Sequence, residues 1–212
     1  MKKTLQAFVA TVLTLFSCLG FGQALETFLG AVEKGDTQVV AGLLSKGMEP
    51  DTADQHGNTA LMIAARMGHE SMVVLLLNNK AGVSKTGPKG DNALMMASLK
   101  GHVGVARILV EAGAPVRKPD WTPLHYAAFE GRAEMIRYLL DKGAEREAIA
   151  PNGHTALMLA ARGGHVDAAR VLLHDDADPR HKGPQGETAL LIAKWRNDTA
   201  FLDLLKRAGV VE

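Results

Sequence analysis

A single phrase, copied at a nearly fixed interval, restricts this chain to one kind of architecture. "TALMIAARMGH" at residues 59–69 returns as "NALMMASLKGH" from Asn92, "TPLHYAAFEGR" from Thr122, "TALMLAARGGH" from Thr155 and "TALLIAKWRND" from Thr188. The starts are separated by 33, 30, 33 and 33 residues, and one more step of 33 back from Thr59 reaches a degenerate sixth copy, "ETFLGAVEKGD", at Glu26. The array covers residues 25–212. A period of this length means stacked supersecondary units, each able to bury its apolar face only against its neighbours. One cooperative solenoid is expected, not six domains.

Each copy holds two short apolar segments at helical spacing. Thr59, Thr122, Thr155 and Thr188 stand where an N-cap is needed, and Asn92 is an equally good cap. Pro123 follows at the first helical position, where a missing N–H costs nothing. Nine residues after each start come Gly35, Gly68, Gly101, Gly131, Gly164 and Asn197, the two residue types that accept a left-handed turn after a helix. The second segment carries leucine pairs such as Leu76-Leu77 and Leu172-Leu173, and ends at Gly47, Lys80, Gly113, Gly143, Asp176 and Gly209. Small pairs, Ala64-Ala65, Ala97-Ser98, Ala127-Ala128 and Ala160-Ala161, allow close helix approach, and the last copy has Ala193-Lys194, whose lysine is expected to face water.

The period, the Thr-Pro-Leu-His phrase, the Gly-His stop, the leucine pairs and the closing Gly-Ala resemble the ankyrin repeat. The resemblance spans residues 25–212. It implies an all-α solenoid of about six helix-turn-helix repeats with short β-hairpin fingers. It also implies that the chain binds proteins through the concave face made by the fingertips and the first helices.

The first 24 residues differ from the array. Lys2 and Lys3 precede an apolar run over 5–16, and small residues, Gly22 and Ala24, stand at the positions a signal peptidase reads. A bacterial-style secretory signal cleaved after Ala24 is expected, with a periplasmic or secreted product. The alternative is a lipoprotein anchored through Cys18, the only cysteine. Cleavage after Ala24 would leave a mature chain with no disulfide and would remove two lysines, taking the net charge from +1 to −1. That balance gives no electrostatic case for nucleic acid, which calls for a clustered basic surface.

His69, His102 and His165 occupy one repeat position, which the resemblance assigns to the scaffold between the two helices. They would stand roughly 10 Å apart, too far to crowd within about 2.1 Å of one zinc ion. His125 lies in the one Thr-Pro-Leu-His phrase, where the family ties the helix start to the neighbouring turn. Met62, Met95 and Met158 replace it in three other copies and read as packing residues. No thiol nucleophile of the mature chain, Walker loop, Gly-x-Ser-x-Gly or His-Glu-x-x-His appears, so no enzyme and no cofactor are expected. "GPKGD" at 87–91 and "GPQGE" at 183–187 read as turns.

The variable positions of the implied concave face give the candidate partner-binding residues. On the first helices they are Arg66, Met67, Leu99, Lys100, Phe129, Glu130, Arg162, Trp195 and Arg196; on the fingers, His56, Lys89, Asp91, Asn152 and His154. Phe129 and Trp195 stand out, because aromatics and arginines are enriched at binding hot spots. The 30-residue repeat clips its finger, "APVRKPDW", and predicts a notch between Lys89 and Asn152, close to Phe129. The expected function is a non-enzymatic scaffold for another exported protein, such as a periplasmic enzyme that it protects or positions. The alternative is a small-molecule or metal carrier using loop His and Met residues.

Overall fold

The caps that the repeat predicts set the start of each unit's first helix from the second unit onward. In this computed structural model, which describes residues 22–210, the side chains of Thr59, Asn92, Thr122, Thr155 and Thr188 each accept a hydrogen bond from the backbone N–H three residues on. The first helices of successive units are α1 (22–34), α3 (Ala60–Met67), α5 (Ala93–Lys100), α7 (Pro123–Phe129), α9 (Ala156–Gly163) and α11 (Ala189–Trp195). The second helices are α2 (Thr37–Ser45), α4 (Glu70–Asn78), α6 (Val103–Glu111), α8 (Ala133–Asp141), α10 (Val166–His174) and α12 (Thr199–Arg207). α3, α5, α7, α9 and α11 pack side by side in one layer, and the second helices line up in another.

All twelve turn positions read from the period have positive φ, from Gly35 at 74° to Gly209 at 77°, including the non-glycines Lys80 (67°), Asp176 (61°) and Asn197 (54°). A left-handed conformation costs a residue with a Cβ roughly 1 kcal/mol more than it costs glycine. Lys80→Gly is therefore expected to raise unfolding stability by about 1 kcal/mol, read as a higher urea midpoint at unchanged slope.

The core runs the length of the stack. Ala64, Ala65, Ala97, Ser98, Ala127, Ala128, Ala160, Ala161 and Ala193 are all buried, and Phe28 and Phe201 are fully buried in the first and last units. Met62, Met95 and Met158 are buried as well, as packing residues should be. Lys194 is half-buried rather than fully solvated.

Two features differ from the expectation. The first helix extends ahead of the repeat register at Glu26: α1 already runs from residue 22, and the Thr27 hydroxyl donates back to the Gln23 carbonyl within it. Glutamate is not a capping residue, so nothing at that position stops the helix from extending backwards. The fingers are tight turns, with no strand among the described residues. Four are closed by a backbone bond, Asp54 N–H to Asn58 O, Gly87 to Asp91, Ala150 to His154 and Gly183 to Glu187, at 2.8–3.0 Å, and one isolated bridge pairs Ala53 with Thr59. Most of the segment expected to be a secretory signal, with Cys18, lies outside the described residues. Among the described residues no helix is long and apolar enough to cross a membrane.

Candidate functional site: the concave groove

The histidines answer to the scaffold. His69, His102 and His165 open α4, α6 and α10, and each ring reaches back to the preceding repeat. Their Nε2 atoms lie 2.9, 3.1 and 3.0 Å from the carbonyl oxygens of Glu33, Arg66 and Phe129. Each ring covers the left-handed glycine of that earlier repeat. A Cβ at Gly35, Gly68 or Gly131 would come 3.1, 2.7 or 2.5 Å from it. Arg132 does the same work in the clipped repeat, donating from Nε to the Leu99 carbonyl at 3.2 Å. These side chains thus join repeats, beyond the expected role between two helices of one unit.

His125 is buried and closes a capping box. Its Nδ1 accepts from the Thr122 N–H at 3.1 Å, so Nε2 carries the proton and donates to the Ala148 carbonyl of the next finger at 2.8 Å. Burial pushes its pKa below the usual histidine value, against the opposing effect of the Ala148 carbonyl.

The fingers stack on one another through proline. Gly57 faces the Pro88 ring and Gly153 faces the Pro184 ring, at separations that would put an added Cβ 2.6 and 2.3 Å away. Gly90, the equivalent residue before the clipped finger, has open space beside it. The notch expected from the 30-residue spacing is present, and Asp120 takes a positive φ of 65° to make the shortened turn.

Three hollows follow the row of fingers and first helices. The N-terminal one, about 520 Å³, brings His56 and Arg66 together with Leu29, Glu33 and Ile63. The middle one, about 190 Å³, sits beside the clipped finger and is walled by Leu99, Trp121, Tyr126 and Phe129. The C-terminal one, about 450 Å³, joins Asn152, Arg162 and Trp195 with Pro184 and Ile192. Phe129 is 52% exposed and Trp195 66%, so neither is spent on the core. Met67, Lys89, Lys100 and Arg196 are exposed but line none of these hollows.

Three candidates have partners within the chain. His154 does not project at a fingertip. It is buried (7% exposed), with Nε2 2.8 Å from Glu187 Oε1, one repeat away. The Glu187 carboxyl is held below its usual range by its own backbone N–H, by the His154 ring and by the Gln185 N–H. Asp91 accepts a short hydrogen bond from the Tyr126 hydroxyl, which together with burial drives the phenol pKa well up. Glu130 pairs with Arg132 at 3.6 Å.

Sequence reasoning missed Tyr126 as a wall of the groove and set Trp121 aside. Trp121 packs edge-on against His125 and Tyr126, with centroids 5.8 and 5.9 Å apart. The signal available was their adjacency to the shortened finger, which removes the cover that the other fingers provide.

Comparison with known proteins agrees with this geometry. A family model described as ankyrin repeats (3 copies) matches residues 28–120, 79–150, 114–183 and 144–210. The transient receptor potential cation channel subfamily A member 1 homolog of Caenorhabditis elegans is 33% identical over 109 residues, 50% of this chain and 9% of that protein. Ankyrin repeat and SOCS box protein 11 of Homo sapiens is 33% identical over 99 residues, 46% of this chain and 31% of that protein. The chain thus spans less than a third of either relative. The crystal structure of the human ASB11 ankyrin repeat domain shares the fold, with a TM-score of 0.81 at 24% identity over 87% of this chain and 84% of that chain. Repeats, caps, turns and family model coincide along nearly the whole described length, and the chain belongs to the ankyrin repeat family.

Proposed function

We propose that this chain is a non-enzymatic scaffold that binds another exported protein through its concave groove, and that protecting or positioning a periplasmic enzyme is the kind of task it serves. Ankyrin repeats generally mediate protein–protein interaction, and the fold is typically a non-enzymatic scaffold. One observation carries the assignment of the groove: Phe129 and Trp195 stand exposed over hollows on the finger side of the first helices. Large aromatics held outside the core cost solubility unless a partner covers them. The exported location rests on the charged, then apolar, then small-residue order of residues 1–24. A metal or small-molecule carrier draws less support, because His154 and the repeated methionines are buried.

The test is co-purification from periplasmic extract with the wild-type chain and with Phe129→Ala/Trp195→Ala. Loss of the captured protein by the double variant, with unchanged thermal unfolding, is expected; equal capture would remove the groove from the account. The clipped finger gives a second check. Inserting three residues between Lys118 and Asp120 is expected to weaken partner binding about tenfold or more by closing the notch, while the array still folds cooperatively. Unchanged affinity would make the notch incidental.

A further inference from the structure

The middle hollow has a size, a mouth and a charge setting that together describe its occupant. At about 190 Å³ it falls below the roughly 300–1,000 Å³ of pockets that enclose small-molecule ligands, and it suits one large side chain. Its walls are Leu99, Trp121, Tyr126 and Phe129, and the only hydroxyl among them is already bonded to Asp91. Its mouth opens where the finger row is broken, since no ring covers Gly90.

The surrounding charge leans positive although the chain as a whole is nearly neutral. Lys100 follows Leu99 at the end of α5, Lys89 lies on the finger whose Asp91 reaches Tyr126, Arg162 lies on α9, and Arg196 stands one repeat position further along, just after α11. None of these four is in an ion pair among the described residues. Of the neighbouring carboxylates, Glu130 is paired with Arg132 and Glu187 with His154, Asp198 accepts from the Phe201 N–H, and Asp91 keeps its charge while accepting from Tyr126, which leaves Asp120 on the clipped finger without a partner of this kind. At the N-terminal end the sign reverses: Glu26, Glu33 and Asp54 line that hollow with Arg66 alone opposite them. Burial there raises the Asp54 carboxyl, but hydrogen bonds from Asn58 and His56 outweigh it and hold the pKa below the usual value.

We infer that the groove from the notch to the last repeat takes an acidic polypeptide segment that seats one large apolar side chain in the Leu99–Trp121–Tyr126–Phe129 hollow. The inference rests on the proposed scaffold function and names its partner's chemistry. The apolar side chain supplies a desolvated anchor, and the carboxylates steer the segment to the cationic stretch and fix its direction.

The test places a photo-crosslinking benzoylphenylalanine at position 129 and, separately, at 195 in the full chain, within the cells that produce it, and sequences the captured segment. The expected capture at 129 is a segment rich in Asp and Glu, joined at or beside a Leu, Ile, Met, Phe or Trp. Lys100→Glu/Arg162→Glu, which lie outside the core, are expected to reduce that capture about tenfold without changing thermal unfolding. A captured segment that is basic or lacks the apolar residue overturns the inference, as does capture indifferent to the charge reversals. Capture at 195 but none at 129 also overturns it while leaving the scaffold function intact. Capture at neither position overturns both.

Discussion

Gly153→Ala is expected to destabilise the protein by about 3 kcal/mol, while Gly90→Ala costs about 1 kcal/mol. Both glycines sit at the same place in their fingers and have nearly the same backbone, φ 78° and 79°. The strain of a left-handed alanine, roughly 1–2 kcal/mol, is therefore common to both. The difference lies in what a Cβ meets: the ring of Pro184 at 2.3 Å beside Gly153, and nothing beside Gly90. A proline ring cannot rotate away, so the finger or the repeat below it must shift, which costs about 1–3 kcal/mol in a packed site. Urea titration of the two variants separates the contributions. Equal losses would show that the fingers do not bear on one another.

Replacing His125 has the second large effect, and it changes the response to pH as well. His125→Ala is expected to cost about 3–4 kcal/mol, since it empties a fully buried site and strips partners from the Thr122 N–H and the Ala148 carbonyl. His125→Met, the residue of the equivalent positions 62, 95 and 158, fills the space and is expected to cost about 1–2 kcal/mol. In the wild type the folded pKa lies below the unfolded value of about 6.5. The unfolded chain therefore binds the proton first. The contribution of this group is fully present above about pH 6.5 and is lost as pH falls through the folded value. Protonation would also place a hydrogen on Nδ1, where the Thr122 N–H already points. Stability measured from pH 7.5 to 5 is expected to fall less steeply in His125→Met than in the wild type. Parallel curves would mean that the imidazole ionises as readily in the folded protein as in the unfolded chain.

The parts of the fold that repeat were legible because repetition turns a weak local signal into a strict one. Threonine caps, left-handed turns and small-residue pairs each follow from local chemistry, and their recurrence at one interval puts Lys80 and Asp176 at turn positions that favour glycine. The notch was legible for the same reason, as a departure from that interval. What did not recur was hidden. The His154–Glu187 pair joins two residues 33 apart whose side chains have no counterpart in other repeats, so the histidine read as a projecting fingertip. Tyr126 resembles the variable residue of any first helix until the shortened finger leaves it and Trp121 uncovered. Asp91 likewise read as a free contact because its partner lies on the next helix. The backward extension of α1 was missed because a period marks equivalent positions and cannot say where an uncapped helix stops.

The central claim is that the finger side of this stack, and not the second-helix side, grips another protein. Hydroxyl-radical footprinting of the purified complex tests it directly, because Phe129 and Trp195 are exposed on one side and side chains such as Val74 on the other. The account predicts strong protection of Phe129 and Trp195 on partner binding, with Val74 on α4 oxidised as fast as in the free chain. Protection confined to the second helices, with Phe129 and Trp195 still fully reactive, would contradict it.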